Sequence, residues 1–195
     1  MGIVKARVTG HRKLHIHNTL ENFADFTKGV IEDKIKNNQR DGIGFDYMTL
    51  GIMLAFDFEA KANFMGAKYV KPWNEFQKWK PKLKLVFKTL GMTVDWNKRP
   101  YTSLENMKTF RDTIAHGKPI DEPVDYEVTD EEANIRKTFN LKQAWEDMVT
   151  HDEIMQAYED TEIVWKEMVK KSGIEISELL DQAEFVIDIR ERFSK

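Results

Sequence analysis

Residues 110–119 read FRDTIAHGKP. Arg111 and His116 stand five positions apart at the close of a helical pattern that Gly117 and Pro119 stop. A guanidinium grips a phosphate bidentately, and an imidazole moves protons near neutral pH. Together they supply both halves of a phosphate-handling site: a group that holds the anion and its developing charge, and a general acid or base. Five helical steps of about 100° set the two side chains roughly 140° apart. A shared phosphate therefore requires a cleft at the helix end, or two such helices facing across a two-fold axis. The spacing alone is weak evidence, since Arg12 and His17 repeat it with no following acid and no helix stop.

On a helical wheel of residues 104–116, Leu104, Met107, Phe110 and Ile114 share one apolar sector, with Ala115 at its edge. Arg111 falls inside that sector, while Asp112 and His116 lie one turn apart on the polar side. An arginine among core residues needs a carboxylate or phosphate partner, unless its stem snorkels to the rim. Upstream, EAKAN places Glu59 and Asn63 four apart on a long helix, flanked by Ile52, Phe56 and Val70. Asp57, Lys61 and Lys68 read instead as a solvated stripe of that helix. Glu59 is the expected partner of Arg111, and such a pair is compatible with a structural role as well as a functional one.

The segment KPWNEFQKWKPKLKLVFK interleaves Lys71, Lys78, Lys80, Lys82, Lys84 and Lys88 with Trp73, Phe76 and Trp79. Lysines can track a nucleic-acid backbone while aromatics stack on bases. The spacing 73, 76, 79 favours the plainer reading, with aromatics in the core and lysines in solvent. His11, His15 and His17 form a weak metal pattern with no acid in the segment. With no cysteine, disulfides, cysteine nucleophiles and thiolate zinc sites are excluded. Glycine-rich phosphate loops, HExxH and GxSxG are also missing. We expect neither a metal nor a cofactor.

These residues need helices to position them. Leu20, Phe23, Phe26, Val30 and Ile31 predict a helix over about 19–37, and NNQRDGIG a loop after it. A long helix over about 46–70 is apolar on most sides, which suits the centre of a bundle. Pro81 opens another helix that Gly91 stops. Thr102 and Glu105 form a capping-box pattern, so the helix carrying Arg111 should start near Ser103. After the acidic loop GKPIDEPVDYEVTDEEA, a stripe from Leu141 through Trp145, Met148, Met155, Tyr158 and Trp165 to Met168 predicts helix over about 140–171. Trp145 and Trp165 are expected in the core. Gly173 ends that run, and a last helix is expected over about 177–193. The expected fold class is all-α: an antiparallel bundle of four to five core helices, extra C-terminal helices, and a short N-terminal arm or hairpin. The domain plan is an arm over 1–18, a helical core over 19–125, and an acidic extension over 126–195 packed on the same domain.

The chain has 195 residues, 41% of them hydrophobic and 32% charged, enough for one core and a charged surface. Its net charge of −3 conceals a split. Residues 61–118 hold 13 Lys and Arg against 4 Asp and Glu, whereas residues 119–195 hold 9 against 21. The middle suits phosphates, or else the two parts neutralise each other. No apolar run reaches membrane-spanning length and the first residues lack a signal-peptide core, so a cytoplasmic location is expected.

The stretch RDTIAHG resembles the signature of the HEPN superfamily (higher eukaryotes and prokaryotes nucleotide-binding), through Arg111, Asp112, Ile114, Ala115, His116 and Gly117. Many members of that family also carry a Glu and an Asn four apart on an earlier helix, matched here by Glu59 and Asn63. The resemblance covers about residues 19–120. It implies a helical bundle and a metal-independent endoribonuclease in which the RNA 2′-hydroxyl is the nucleophile. His116 would move its proton, Arg111 would bind the scissile phosphate, and Asp112 would orient His116, with Glu59 and Asn63 in support. Lys61, Lys108 and Lys118 are the cations we expect against the RNA. The resemblance further implies a homodimer with both motifs at the interface, a setting in toxin–antitoxin or phage-defence systems, and an antitoxin protein as a further partner. The alternative is a non-catalytic HEPN-like module that binds RNA, nucleotides or proteins.

Overall fold

The computed structural model describes residues 3–119, 121, 123–125, 127–135 and 142–193, with the side chains of 132 and 133 set aside. The chain runs β1 (Ile3–Lys13), α1 (Ile16–Lys36), α2 (Ile43–Tyr69), α3 (Trp79–Thr89), α4 (Tyr101–Ala115), the single turn α5 (Glu132–Ile135), a 3₁₀ turn (Ala144–Val149), α6 (His151–Ser172), the single turn α7 (Ile176–Leu179) and β2 (Gln182–Phe193). Residues 126, 140 and 141, where the acidic extension and its first long helix were expected to begin, lie outside the described residues.

The helix α2, 27 residues long, is the axis of the fold. It packs against α1, α3, α4 and α6, so nearly every side is covered, as its all-round apolarity demands. Two core clusters are strung along it. One gathers Phe58, Ala62 and Met65 of α2 with Leu83, Val86 and Phe87 of α3, Leu104 of α4, and Val164, Trp165 and Met168 of α6. The other joins Leu50, Leu54 and Ala55 to Ala24 and Ile31 of α1, Met107 and Phe110 of α4, and Ile154 and Ala157 of α6. The C-terminal helix α6 is thus a member of the bundle, and its apolar residues recur at the three- and four-residue spacing of a core-facing helix. Among the described residues, no helix is long and apolar enough to cross a membrane.

An all-α chain was expected, but the fold is mixed: the helices are accompanied by a two-stranded antiparallel sheet, β1 against β2. Residues 182–193, expected to be helical, form the second strand. Phe185, Ile187 and Ile189 alternate with Glu184, Asp188 and Arg190, a period of two that suits a pleated strand, and the β-branched residues fit it well. The N-terminal arm is the other strand. Val8 faces Ile187, Ala6 faces Ile189 and Arg7 faces Asp188, with an irregularity between Lys5 and Ala6. Both strands are exposed along their length.

Two smaller differences have plain causes. The helix α4 begins at Tyr101, with Pro100 at its cap position, so Thr102 lies inside the helix and makes no capping box. In α1 the buried stripe is His17, Ala24, Thr27 and Ile31, while Phe23 and Phe26 face outward, Phe26 at 70% exposure. Small residues let α1 lie close on α2, and its bulky side chains are left on the far side.

The ribbon is held at Gly10. A Cβ there would stand 2.2 Å from the Glu184 carbonyl oxygen and 2.7 Å from Phe185 Cα. Gly10→Val should therefore unpair the strands, because real Cβ atoms do not approach backbone so closely. Hydrogen exchange should show protection lost over 182–193, with the helical circular-dichroism signal kept. Unchanged protection in β2 would contradict this packing.

Candidate functional site

The end of α4 carries the motif. Residue His116 is the cap, its backbone N–H donating to the Asp112 carbonyl at 2.9 Å, and its side chain is exposed. Arg111, one and a half turns earlier, lies on the inward side. Its Nη2 donates to Glu59 Oε2 at 2.5 Å and its Nη1 meets Asp112 Oδ1 at 2.9 Å. Its guanidinium carbon sits 5.5 Å from the centre of the Phe56 ring, a cation–π contact. The Nε of Arg111 is buried and has no hydrogen-bond partner.

Glu59 is shared between two cations. Its Oε1 accepts from Lys82 Nζ at 2.8 Å, and Lys82 also donates to the Glu75 carbonyl at 3.2 Å. Lys82 has no exposed surface. This lysine was expected in solvent. It sits instead beside Leu83, Val86 and Phe87 on the buried face of α3, where only a carboxylate makes its charge tolerable. The same wheel argument that singled out Arg111 would have found it.

The two motif residues line one cleft of about 540 Å³, although they leave their helix in different directions. Lys78, Trp79, Lys80 and Pro81 form the facing wall, and Glu59, Glu105, Lys108 and Asp112 complete it. An adjoining depression of about 510 Å³ runs from Lys108 past Asp112 and His116 to Gly117 and Lys118. A cleft at the helix end therefore brings Arg111 and His116 to a common space within one chain. Lys80 is held by Glu105 at 2.6 Å and stands 5.0 Å from the centre of the Trp96 ring. Trp79 stacks obliquely on Trp96 at 5.8 Å. The aromatics of this segment do not share a helix face, since α3 starts only at Trp79. Trp73 packs on Gly66, whereas Phe76 is 90% exposed.

The supporting residues are placed less uniformly. Lys108 and Lys118 line the depression beside His116. Lys61 does not: it is fully buried between α1, α2 and α6 and cannot meet RNA. Its Nζ lies 2.8 Å from Asp57, 3.3 Å from Glu21 and 3.5 Å from Glu162, and 5.4 Å from the Trp165 ring centre. Asp57 is buried with it, so two residues of the stripe read as solvated lie inside the bundle, while the third, Lys68, is half-buried and pairs with Glu178. Burial pushes the Asp57 carboxyl up to about 7 despite Lys61 beside it. Burial opposes the Lys61 charge, but Asp57, Glu21 and Glu162 outweigh it and raise the ammonium's pKa. The Asp112 carboxylate is taken by Arg111 and Lys108 and does not orient the His116 ring. Asn63 lies one turn beyond Glu59, with Oδ1 buried and unpartnered.

Among the described residues, no group of three or more His, Asp or Glu is arranged to hold a metal ion. Of the N-terminal histidines, His11 is exposed on β1, while His15 and His17 are buried where the ribbon meets α1. Their rings lie 5.3 Å apart, against Phe64 at 5.0 and 4.7 Å. Burial, then the neighbouring His15 and Lys61, lower the His17 pKa to about 4 against a small opposing pull from Asp181.

Two measurements test this network. Glu59→Ala leaves Lys82 buried without its carboxylate and should cost about 3 kcal/mol in chemical denaturation. A Glu59→Ala protein as stable as the parent would remove Glu59 from the core of the site. His17 binds its proton more weakly folded than unfolded, so its contribution to stability is present above about pH 6.5 and lost as pH falls through about 4. Asp57, whose carboxyl is raised to about 7, acts in the opposite sense over the same range, so the His17 contribution is read as a difference: the melting temperature of His17→Phe should rise relative to the parent as pH falls from about 6.5 to about 4. An equally steep acid limb in His17→Phe would assign it elsewhere.

The chain matches no family model, no curated protein and no solved structure.

Proposed function

We propose that this protein is a metal-independent endoribonuclease of HEPN type. The observation that carries the reading is the common cleft of Arg111 and His116, walled by Lys78, Trp79 and Lys80. The substrate phosphate sits in that cleft against Arg111, whose charge is fixed. The His116 imidazole takes the proton of the 2′-hydroxyl. The 2′-oxygen bonds to phosphorus as the bond to the 5′-oxygen breaks, and water supplies the proton that the 5′-oxygen needs. The products are a 2′,3′-cyclic phosphate and a 5′-hydroxyl. Lys108 and Lys118 follow the strand along the depression beyond His116. The protein acts as a homodimer, a reading supported by Phe23 and Phe26, which expose large apolar surface on α1. An antitoxin protein and a role in defence belong to the same proposal.

A second reading has its own support. Arg111 is already met by two carboxylates, and the Asp112 carboxylate is engaged by Arg111 and Lys108. Both suit a module that binds RNA or nucleotides without cutting. Incubating the purified protein with RNA in EDTA separates the two. The ribonuclease reading expects cyclic-phosphate ends, lost at least a hundredfold in His116→Ala and in Arg111→Ala. Cleavage that survives His116→Ala would sink it, and binding without cleavage by the parent chain would establish the second reading.

A further inference from the structure

Beside the cleft lies a second cavity, of about 430 Å³, that the proposed chemistry does not use. One wall is a single stripe of α2: Phe56, Glu59, Ala60, Asn63 and Phe64, at the spacing of one helix face. The other is the start of α1, with Ile16, His17 and Leu20, entered from Leu14 and His15. Ala60 is small, and its place in the stripe leaves the floor open between two aromatic rings.

The polar atoms of this cavity are not satisfied. His15 Nε2, His17 Nε2 and Asn63 Oδ1 are each buried and without a hydrogen-bond partner. His17 is only 2% exposed. Interiors leave few such atoms, and three on residues that line one hollow single it out as a place where a ligand completes the bonding. The chemistry of the wall narrows the ligand. His17 is uncharged at neutral pH, its burial holding it so. No lysine or arginine lines the cavity, and Glu59 contributes a negative charge. A phosphate or carboxylate is therefore unwelcome. A purely aliphatic group would leave the imidazole and amide atoms unpaired. A flat heteroaromatic ring with N–H donors and ring-nitrogen acceptors satisfies both sets of requirements.

The cavity is also joined to the catalytic cleft. Glu59 lines both. Phe56 turns its ring to the cavity and carries the Arg111 guanidinium on it. These two side chains link the two spaces, one shared by both linings and the other in contact with Arg111. We propose that the cavity is a base subsite: it takes the nucleobase adjacent to the phosphate held at Arg111, with Asn63 Oδ1 accepting from a base N–H and the imidazoles of His15 and His17 completing the edge. This rests on the ribonuclease reading for the identity of the substrate, but not for the binding itself.

The probes are AMP and ribose 5-phosphate, titrated into the full-length protein and followed by the imidazole signals of His15 and His17 and the indole signal of Trp165, whose ring lies 5.5 Å from His17. AMP should shift all three signals, and ribose 5-phosphate none. Asn63→Leu should weaken AMP about tenfold, the loss of one well-made hydrogen bond. Ala60→Phe, which fills the floor, should abolish the shifts. Both positions are only half-buried, so the variants keep the core intact. Equal shifts from ribose 5-phosphate, or AMP binding unchanged in both variants, would overturn the subsite. RNA cleavage unaffected by Ala60→Phe would overturn it too, and would leave the ribonuclease reading standing. Shifts with AMP that vanish in Ala60→Phe, in a protein that cuts no RNA, would support the base pocket and remove the ribonuclease.

Discussion

The carboxylate of Glu59 is the constraint on which this molecule turns. It sits on the central helix and holds a fully buried lysine of α3 with one oxygen and the motif arginine of α4 with the other. Each cation would be costly alone: Lys82 takes its carboxylate from another helix, and Arg111 adds Glu59 to the Asp112 of its own. The three helices are therefore tied together by charge at the point where their apolar contacts give out. A bridge of this kind adds less stability than a hydrophobic contact of the same size, but it fixes which side chain faces which. Here it fixes the guanidinium. Arg111 is held by Glu59, Asp112 and the face of Phe56, so its direction is set before any substrate arrives. Preorganised charge of that sort is what stabilises a developing anion at least cost.

The arrangement also explains why a pair set apart on the helical wheel can serve one site. Arg111 points toward the bundle and His116 sits where the helix has ended. The wall opposite them comes from the irregular approach to α3, with Lys78, Trp79 and Lys80. That approach is anchored by Trp73 packing on Gly66, where even a Cβ would stand 2.3 Å from the indole. A glycine on the central helix thus positions the far side of the cleft.

What could be read from the sequence follows the range of the interactions. Local pattern sufficed for α1 to α4, for the αL glycine that stops α6, and for Arg111 as an arginine on an apolar face in need of an acid. It failed where the partner is distant. Residues 182–193 become a strand because residues 3–13 lie alongside, at the other end of the chain. Lys61 looked solvated because Asp57 and Lys68 stood in register with it. Its burial comes from α1 and α6, through Glu21 and Glu162. Nor could any spacing rule have placed His15 and His17 against Phe64 and beside Asn63, since the turn between β1 and α1 decides it.

The division of charge along the chain can now be resolved into two parts. Some cations of the basic middle are neutralised by the acidic C-terminal part: Lys61 by Glu162, Lys68 by Glu178, and Arg99 by Asp160 and Glu159. The Arg99 pairing also recruits Ser103, whose hydroxyl donates to Asp160 at 2.5 Å, so α4 is pinned to α6 near its start. None of the cations around the cleft is spent in this way. Lys80, Lys108 and Arg111 pair with Glu105, Asp112 and Glu59, all from the first 118 residues, and Lys78 and Lys118 make no ion pair among the described residues. The carboxylates that hold the cleft cations are therefore local, and each already sits against at least one of them. On the proposed reading, an incoming phosphate meets lysines that need only be shared rather than freed, and its attraction falls with salt as the two exposed lysines are screened.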